Sequence, residues 1–147
     1  MNFEIRIKDI NLLSPTEMTT IYNKLSWENS RSDSSMRSEL DKRYIRPTTA
    51  PKPPMPLAMV WQNGVFVSWV GTRSWPEKFK GEKVVAQTIE CFTAPEYRRN
   101  GLARLGLQAL ISAGVLNRDG LVAAYAPHVV QLARQCGCKT VLLCEVT

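Results

Sequence analysis

The chain has one histidine, His128, and no apolar run approaching the ~18 residues that a membrane-spanning helix requires. A span through a bilayer is therefore not expected. His128 follows Pro127 at the start of an expected helix, and nothing in the nearby sequence offers it a serine or cysteine partner, so a surface or capping role fits it better than a catalytic triad. The opening Met1-Asn2-Phe3-Glu4-Ile5-Arg6 alternates charge with apolar side chains instead of forming a signal-peptide core, which predicts a soluble cytoplasmic protein. Cysteine is sparse: Cys91, Cys136, Cys138 and Cys144 sit in apolar stretches, and reduced thiols are expected over disulfides. Cys136-Gly137-Cys138 has one residue between its cysteines where zinc sites commonly have two, so these read as small buried hydrophobes and no metal site is expected. No Gly-Lys-Ser/Thr run and no Gly-x-Gly-x-x-Gly occurs, which removes the two commonest phosphate-binding motifs.

What is present suits one domain. A length of 147 residues with 44% hydrophobic content provides one core and not two. Lys and Arg number 19 against 13 Asp and Glu, and the formal charge of +6 favours phosphates or acidic surfaces as partners. Phe3, Ile5 and Ile7 alternate as in a half-buried strand. Ser14-Pro15-Thr16-Glu17 supplies a cap, an N1 proline and an N3 glutamate for a helix over about 15–27, and Met36, Leu40 and Tyr44 mark a more polar helix within 31–45. Residues 47–56 hold five of the nine prolines and predict an extended connection.

Asn63-Gly64 between 58–62 and 65–70 predicts a tight hairpin, because both central positions of that turn need positive φ. Residues 75–81 read as a loop leading into a strand over 84–92, which turns at Ala94-Pro95-Glu96. From Leu102 to Ser112 only Arg104, Gln108 and Ser112, four apart, are polar, so that helix shows water one narrow stripe. A strand over 121–126, a helix over 127–135 ended by Gly137 and a strand over 140–146 complete a mixed α/β (α+β) pattern.

The stretch that carries chemistry is Tyr97-Arg98-Arg99-Asn100-Gly101-Leu102-Ala103-Arg104, at a junction between strand and helix. Backbone N–H groups of a first helical turn have no carbonyl within the helix, and with the helix dipole they form an anion site. Gly101 and Ala103 allow close approach of a diphosphate, while Arg98, Arg99 and Arg104 add charged donors. A capped helix with solvated arginines is the plainer alternative.

Arg98-Arg99-Asn100-Gly101-Leu102-Ala103 resembles the Gln/Arg-x-x-Gly-x-Gly/Ala signature of the GNAT N-acetyltransferase superfamily, and Thr93-Ala94-Pro95-Glu96-Tyr97 resembles the segment that precedes it. The resemblance implies a single acyltransferase domain over 1–147. Its mixed, mostly antiparallel sheet would carry helices on both faces and splay between the fourth and fifth strands, with 1–56 forming the acceptor side and 57–147 the hairpin and acyl-CoA core. It implies that acetyl-CoA is the co-substrate, with its diphosphate on the N–H groups of residues 99–104 and its pantetheine arm along Cys91, Phe92 and Thr93. A main-chain donor near Phe92 would meet the thioester oxygen.

An amine must lose a proton to attack, and Glu90, on the strand that commonly carries a base in such proteins, is the first candidate, although it can equally pair with an arginine. After residue 120 the pattern departs: Ala133 stands where a tyrosine commonly protonates the thiolate, and Ala126 where an asparagine is common. Tyr125 is the replacement candidate, although a thiolate also leaves without an acid. Two further classes compete with N-acetylation of an amine. One is a non-catalytic coenzyme A-binding or interaction protein, suggested by the missing tyrosine. The other is a nucleic-acid-modifying enzyme, suggested by Lys42, Arg43, Arg46 and Lys52 and by Lys78, Lys80 and Lys83 around Trp75 and Phe79. The last strand is expected to leave an apolar edge that a second subunit covers, which predicts a homodimer.

Overall fold

The computed structural model describes residues 2–25 and 31–144. In chain order the elements are β1 (Glu4–Asp9), α1 (Pro15–Lys24), α2 (Arg31–Leu40), β2 (Pro56–Gln62), β3 (Val65–Phe79), β4 (Glu82–Thr93), α3 (Leu102–Ser112), β5 (Leu121–Ala124), α4 (Pro127–Gln135) and β6 (Thr140–Leu143). The six strands lie in one sheet in sequence order. The first three pairings are antiparallel and the last two parallel.

Local chemistry explains most boundaries. Ser14 Oγ accepts the Glu17 N–H at 3.1 Å while the Ser14 N–H donates to Glu17 Oε1 at 3.0 Å, so the predicted capping box starts α1. The helix ends at Lys24; residues 26–27 of the predicted span lie outside the described residues. The second predicted helix is α2 followed by a π turn, Asp41–Ile45. Asn63 (φ 51°) and Gly64 (φ 78°) make the β2–β3 turn as their sequence requires. The last strand ends at Leu143, and residues 145–146 of its predicted extent lie outside the described residues.

The expected loop over 75–81 is mostly strand. β3 continues to Phe79, turns through Lys80 (φ 52°) and Gly81 (φ 83°), and returns as β4 from Glu82. Pro76 suggested a loop because it cannot donate to a ladder. β2 stops pairing at Gly71, however, so the far half of β3 has β4 on one side and no strand on the other, where a missing N–H is tolerated. A two-stranded arm beyond the main sheet is the result.

The two faces of the sheet bury different clusters. On one, Trp69, Phe92, Leu57, Met59 and Phe66 pack with Ile21 of α1, with Leu25 that caps it, and with Met36 and Leu40 of α2. On the other, Val70, Ile89 and Ala58 meet Leu107 and Leu110 of α3 and Val129, Val130 and Ala133 of α4. α3 shows water Arg104, Gln108 and Ser112, as the sequence predicts, and crowds the sheet: a Cβ on Gly106 would stand 2.9 Å from Val70 Cγ2.

Candidate active site

β4 and β5 part company early. Their register covers Ala86↔Leu121, Gln87↔Val122 and Thr88↔Ala123, and β4 then runs on to Thr93 without a strand on that side. Which backbone groups open into the gap follows from alternation. Ser68 Oγ donates to the Phe92 carbonyl at 2.9 Å and the Ala94 N–H donates to the Val67 carbonyl at 2.9 Å, so Phe92 and Ala94 turn toward β3. In an antiparallel ladder the intervening residues turn the other way, so Cys91 and Thr93 present N–H and C=O to the gap. A main-chain donor near Phe92 is therefore on its neighbours and not on Phe92 itself. Arg98 Nε reaches back to occupy the Thr93 carbonyl at 3.0 Å.

One mouth of the gap leads to the loop before α3. Arg99 (φ 66°) and Gly101 (φ 72°) both adopt left-handed backbone, and Asn100 Nδ2 locks the loop by donating to the Tyr97 carbonyl at 3.1 Å and the Arg98 carbonyl at 3.3 Å. The first ladder bond of α3 runs from the Leu105 N–H to the Gly101 carbonyl, and Gly101 offers no side-chain cap. The N–H groups of Leu102, Ala103 and Arg104 thus precede the ladder, at the positive end of the helix. Thr93, Arg98, Arg99, Gly101, Ala103 and Arg104 line a cleft here of about 320 Å³ that Leu132 and Gln135 of α4 help to wall. Arg104 Nη2 donates to Gln135 Oε1, tying α3 to α4 across the cleft. Leu132 and Gln135 were not anticipated; their i, i+3 spacing on one face of α4 was the available signal.

The other mouth opens beside β3. Arg73, Trp75, Thr88, Glu90 and Tyr125 line a cavity of about 350 Å³, so the two catalytic candidates of the sequence meet in one wall. Cross-strand pairing explains the company: Arg73 faces Thr88 and Gly71 faces Glu90, all on the sheet face that carries Trp69 and Phe92. Glu90 Oε1 is 3.7 Å from Arg73 Nη2, beyond hydrogen-bonding distance, and Glu90 Oε2 is buried with no hydrogen-bond partner. Arg73 Nη1 is itself held by Glu39 Oε1 at 3.0 Å, and Glu39 also pairs with Arg43. Arg73 lies in none of the predicted elements, and Trp75, expected in the loop over 75–81, is instead in β3; alternation from Trp69 through Gly71 places both on this face.

Cys91 faces the opposite side, where burial and then the neighbouring Glu90 charge push its thiol up to about 11. Ala133 is fully buried against the sheet. His128 is exposed at the start of α4. The basic surface expected for nucleic acid divides: Arg43 is buried, donating to Glu39, Asn11 and the Pro53 carbonyl, and of the arm lysines Lys80 stands over the Phe79 ring at 5.4 Å, while Lys78 and Lys83 lie on the face opposite Trp75 and Phe79. Among the described residues, no group of three His, Cys, Asp or Glu is placed to hold a metal ion, and no helix is long and apolar enough to cross a membrane.

A mostly antiparallel sheet that opens between its fourth and fifth strands, with an amide-rich helix start at one mouth and a carboxylate at the other, defines an acetyltransferase type of α/β fold. The chain belongs to the Acetyltransferase (GNAT) family, whose model matches residues 18–126. No curated protein matches the chain in sequence. Among solved structures, a ribosomal-protein-alanine N-acetyltransferase from Brucella melitensis biovar Abortus 2308 is 16% identical and matches with a TM-score of 0.56 over 91% of this chain and 87% of that one. The aminoglycoside N-acetyltransferase AAC(6')-Iy, in complex with CoA, is 15% identical with a TM-score of 0.55 over 95% of this chain and 90% of that one. A predicted acetyltransferase with acetyl-CoA from Clostridium acetobutylicum is 12% identical, with a TM-score of 0.58 over 94% of this chain and 90% of that one.

Proposed function

We propose that the chain moves an acetyl group from acetyl-CoA to a primary amine by direct attack. The observation that carries this reading is the gap beside β4, with unladdered amides and arginines at one mouth and the Glu90 cavity at the other. The diphosphate rests on the N–H groups of residues 99–104, with Arg98, Arg99, Asn100 and Arg104 around it and Leu102 beneath. Gly101 and Ala103 leave room for the approach. The pantetheine arm pairs with the exposed groups of Cys91 and Thr93 beside Phe92, where Arg98 yields the Thr93 carbonyl. Relatives named for a ribosomal-protein alanine and for aminoglycosides both acetylate nitrogen, which supports an amine as the acceptor.

The acceptor enters the Glu90 cavity, from the side built by residues 1–56. Glu90 takes the proton from the amine, the nitrogen forms a bond to the thioester carbon, and the C–S bond breaks. The departing sulfur takes a proton from Tyr125, since Ala133 offers none. The decisive experiment is thermal denaturation with acetyl-CoA. A rise in melting temperature that is abolished by Gly101→Glu supports the reading, while no rise, or an equal rise in the variant, defeats it. Acetyl-CoA binding without thiol release from any amine would favour a non-catalytic role. Four unbridged cysteines suit a cytoplasmic setting, and the exposed Leu142 and Leu143 on β6 suit a homodimer, which a monomeric mass in light scattering would refute.

A further inference from the structure

The hairpin arm sorts its charges by face. Alternation and the cross-strand register put Trp75, Glu77 and Phe79 of β3 on the same face as Glu82, Val84, Thr88 and Glu90 of β4, whereas Lys78 and Lys83 stand opposite one another on the reverse face. This face begins at the Glu90 cavity, whose wall includes Trp75 and also Arg73, the latter held by Glu39 Oε1 at 3.0 Å, and beyond Trp75 it continues outward along the arm with Glu77 and Glu82. Glu77 and Glu82 are exposed, and Phe79 already holds a cation: Lys80 Nζ stands 5.4 Å from its ring centroid. At the inner end, the buried Glu90 Oε2 lacks a donor, which an ammonium group supplies.

We infer that the acceptor is a basic polypeptide segment laid along this face, with one primary amine at Glu90 and further positive charges over Glu77 and Glu82. The inference rests on the reading of Glu90 as the acceptor end of the site. Distance selects a polypeptide over a small polyamine. Glu90 and Val84, the partner of Glu77, are six positions apart on β4, and at 3.3 Å per residue the backbone positions that carry the two glutamates are roughly 20 Å apart along the strands. An extended peptide covers that in about six residues, while a triamine such as spermidine is shorter than the gap. The formal charge of +6 opposes a cationic partner at long range, but charges farther than about 8 Å are screened at physiological salt, and of the cations nearer than that Arg73 is paired with Glu39 at 3.0 Å and Lys80 leans on Phe79, which leaves Glu77 and Glu82 to meet the partner.

Two probes test this on the full chain: a decapeptide with an amino-terminal glycine and lysines at positions six to eight, and the same peptide with glutamates there. Binding is read without turnover from the Trp75 indole N–H in an NMR titration, and transfer is read as thiol released from acetyl-CoA. The basic peptide should shift the Trp75 signal and bind about ten-fold more tightly than the acidic one. The exposed double variant Glu77→Lys/Glu82→Lys should remove that preference, the scale expected when two exposed ion pairs are reversed. Equal binding of both peptides, tighter binding of spermidine than of the basic peptide, or a preference unchanged in the double variant overturns the inference. Thiol release to other amines with no such preference sinks the inference and leaves the transferase reading intact. A preserved preference without thiol release keeps the basic peptide on this face and removes both the transferase reading and the acceptor role that rests on it.

Discussion

Glu90 and Tyr125 share one cavity wall, yet their roles in the proposed reaction differ in weight. A proton acceptor is needed before the nitrogen attacks, whereas a thiolate departs tolerably without help. Glu90→Gln should therefore lower kcat by about 10²–10⁴-fold, the range of general-base contributions, with acetyl-CoA affinity unchanged. Tyr125→Phe should lower it by about ten-fold or less. Steady-state rates with a saturating amine, set beside acetyl-CoA affinities from calorimetry, check both; an unaltered kcat in Glu90→Gln would move the base elsewhere. A different single atom governs packing. Because Val70 Cγ2 lies 2.9 Å from where a Gly106 Cβ would sit, Gly106→Ala should destabilise the fold by about 1–3 kcal/mol, seen as a lower urea midpoint.

At the scale of elements, the start of α3 and the arm teach opposite lessons about what a sequence discloses. α3 is legible because its signals are local: a glycine at positive φ before it, a stripe of polar residues four apart along it, and arginines around its first turn. The Asn63-Gly64 hairpin and the Pro127 start of α4 are legible for the same reason. The arm is not, since Pro76 and four charged residues between Trp75 and Lys83 resemble a loop until the pairing of β3 with β2 is seen to end at Gly71. That Glu39 holds Arg73 beside Glu90 is likewise invisible, because it joins a helix to a strand across more than thirty positions. Candidates for catalysis were found by family resemblance and strand alternation, while the cavity's other walls needed the register. The α3 start carries its own prediction: Arg99→Ala and Arg104→Ala should each weaken acetyl-CoA binding several-fold and reduce its salt dependence, as fits exposed charges on a phosphate. Calorimetry at two ionic strengths would show whether the amides alone suffice.

For the whole molecule, stability against pH has a limb on each side with a different cause. On the acid side, burial lifts Glu17, but the Lys8 ammonium at 2.7 Å and the N–H and hydroxyl of Ser14 outweigh it and hold the carboxyl below its ordinary value. A depressed carboxyl stabilises the fold at pH above its unfolded pKa, and that contribution is lost as pH falls through the folded pKa. On the basic side, burial raises the thiols of Cys91, Cys136 and Cys138, Cys91 to about 11 from an ordinary 9.0. A raised thiol leaves the fold at full strength below pH 9.0, after which the unfolded chain ionises first and stability drains until the folded thiol follows near 11. Urea midpoints measured from pH 3 to pH 11 should therefore form a plateau with two shoulders. Glu17→Gln should flatten the acid shoulder and Cys91→Ala the basic one, each at the cost of a lower plateau. A basic shoulder that survives in Cys91→Ala would assign it to Cys136 and Cys138 under α4, and a shoulder that survives removal of all three would mean that the buried thiols do not set it.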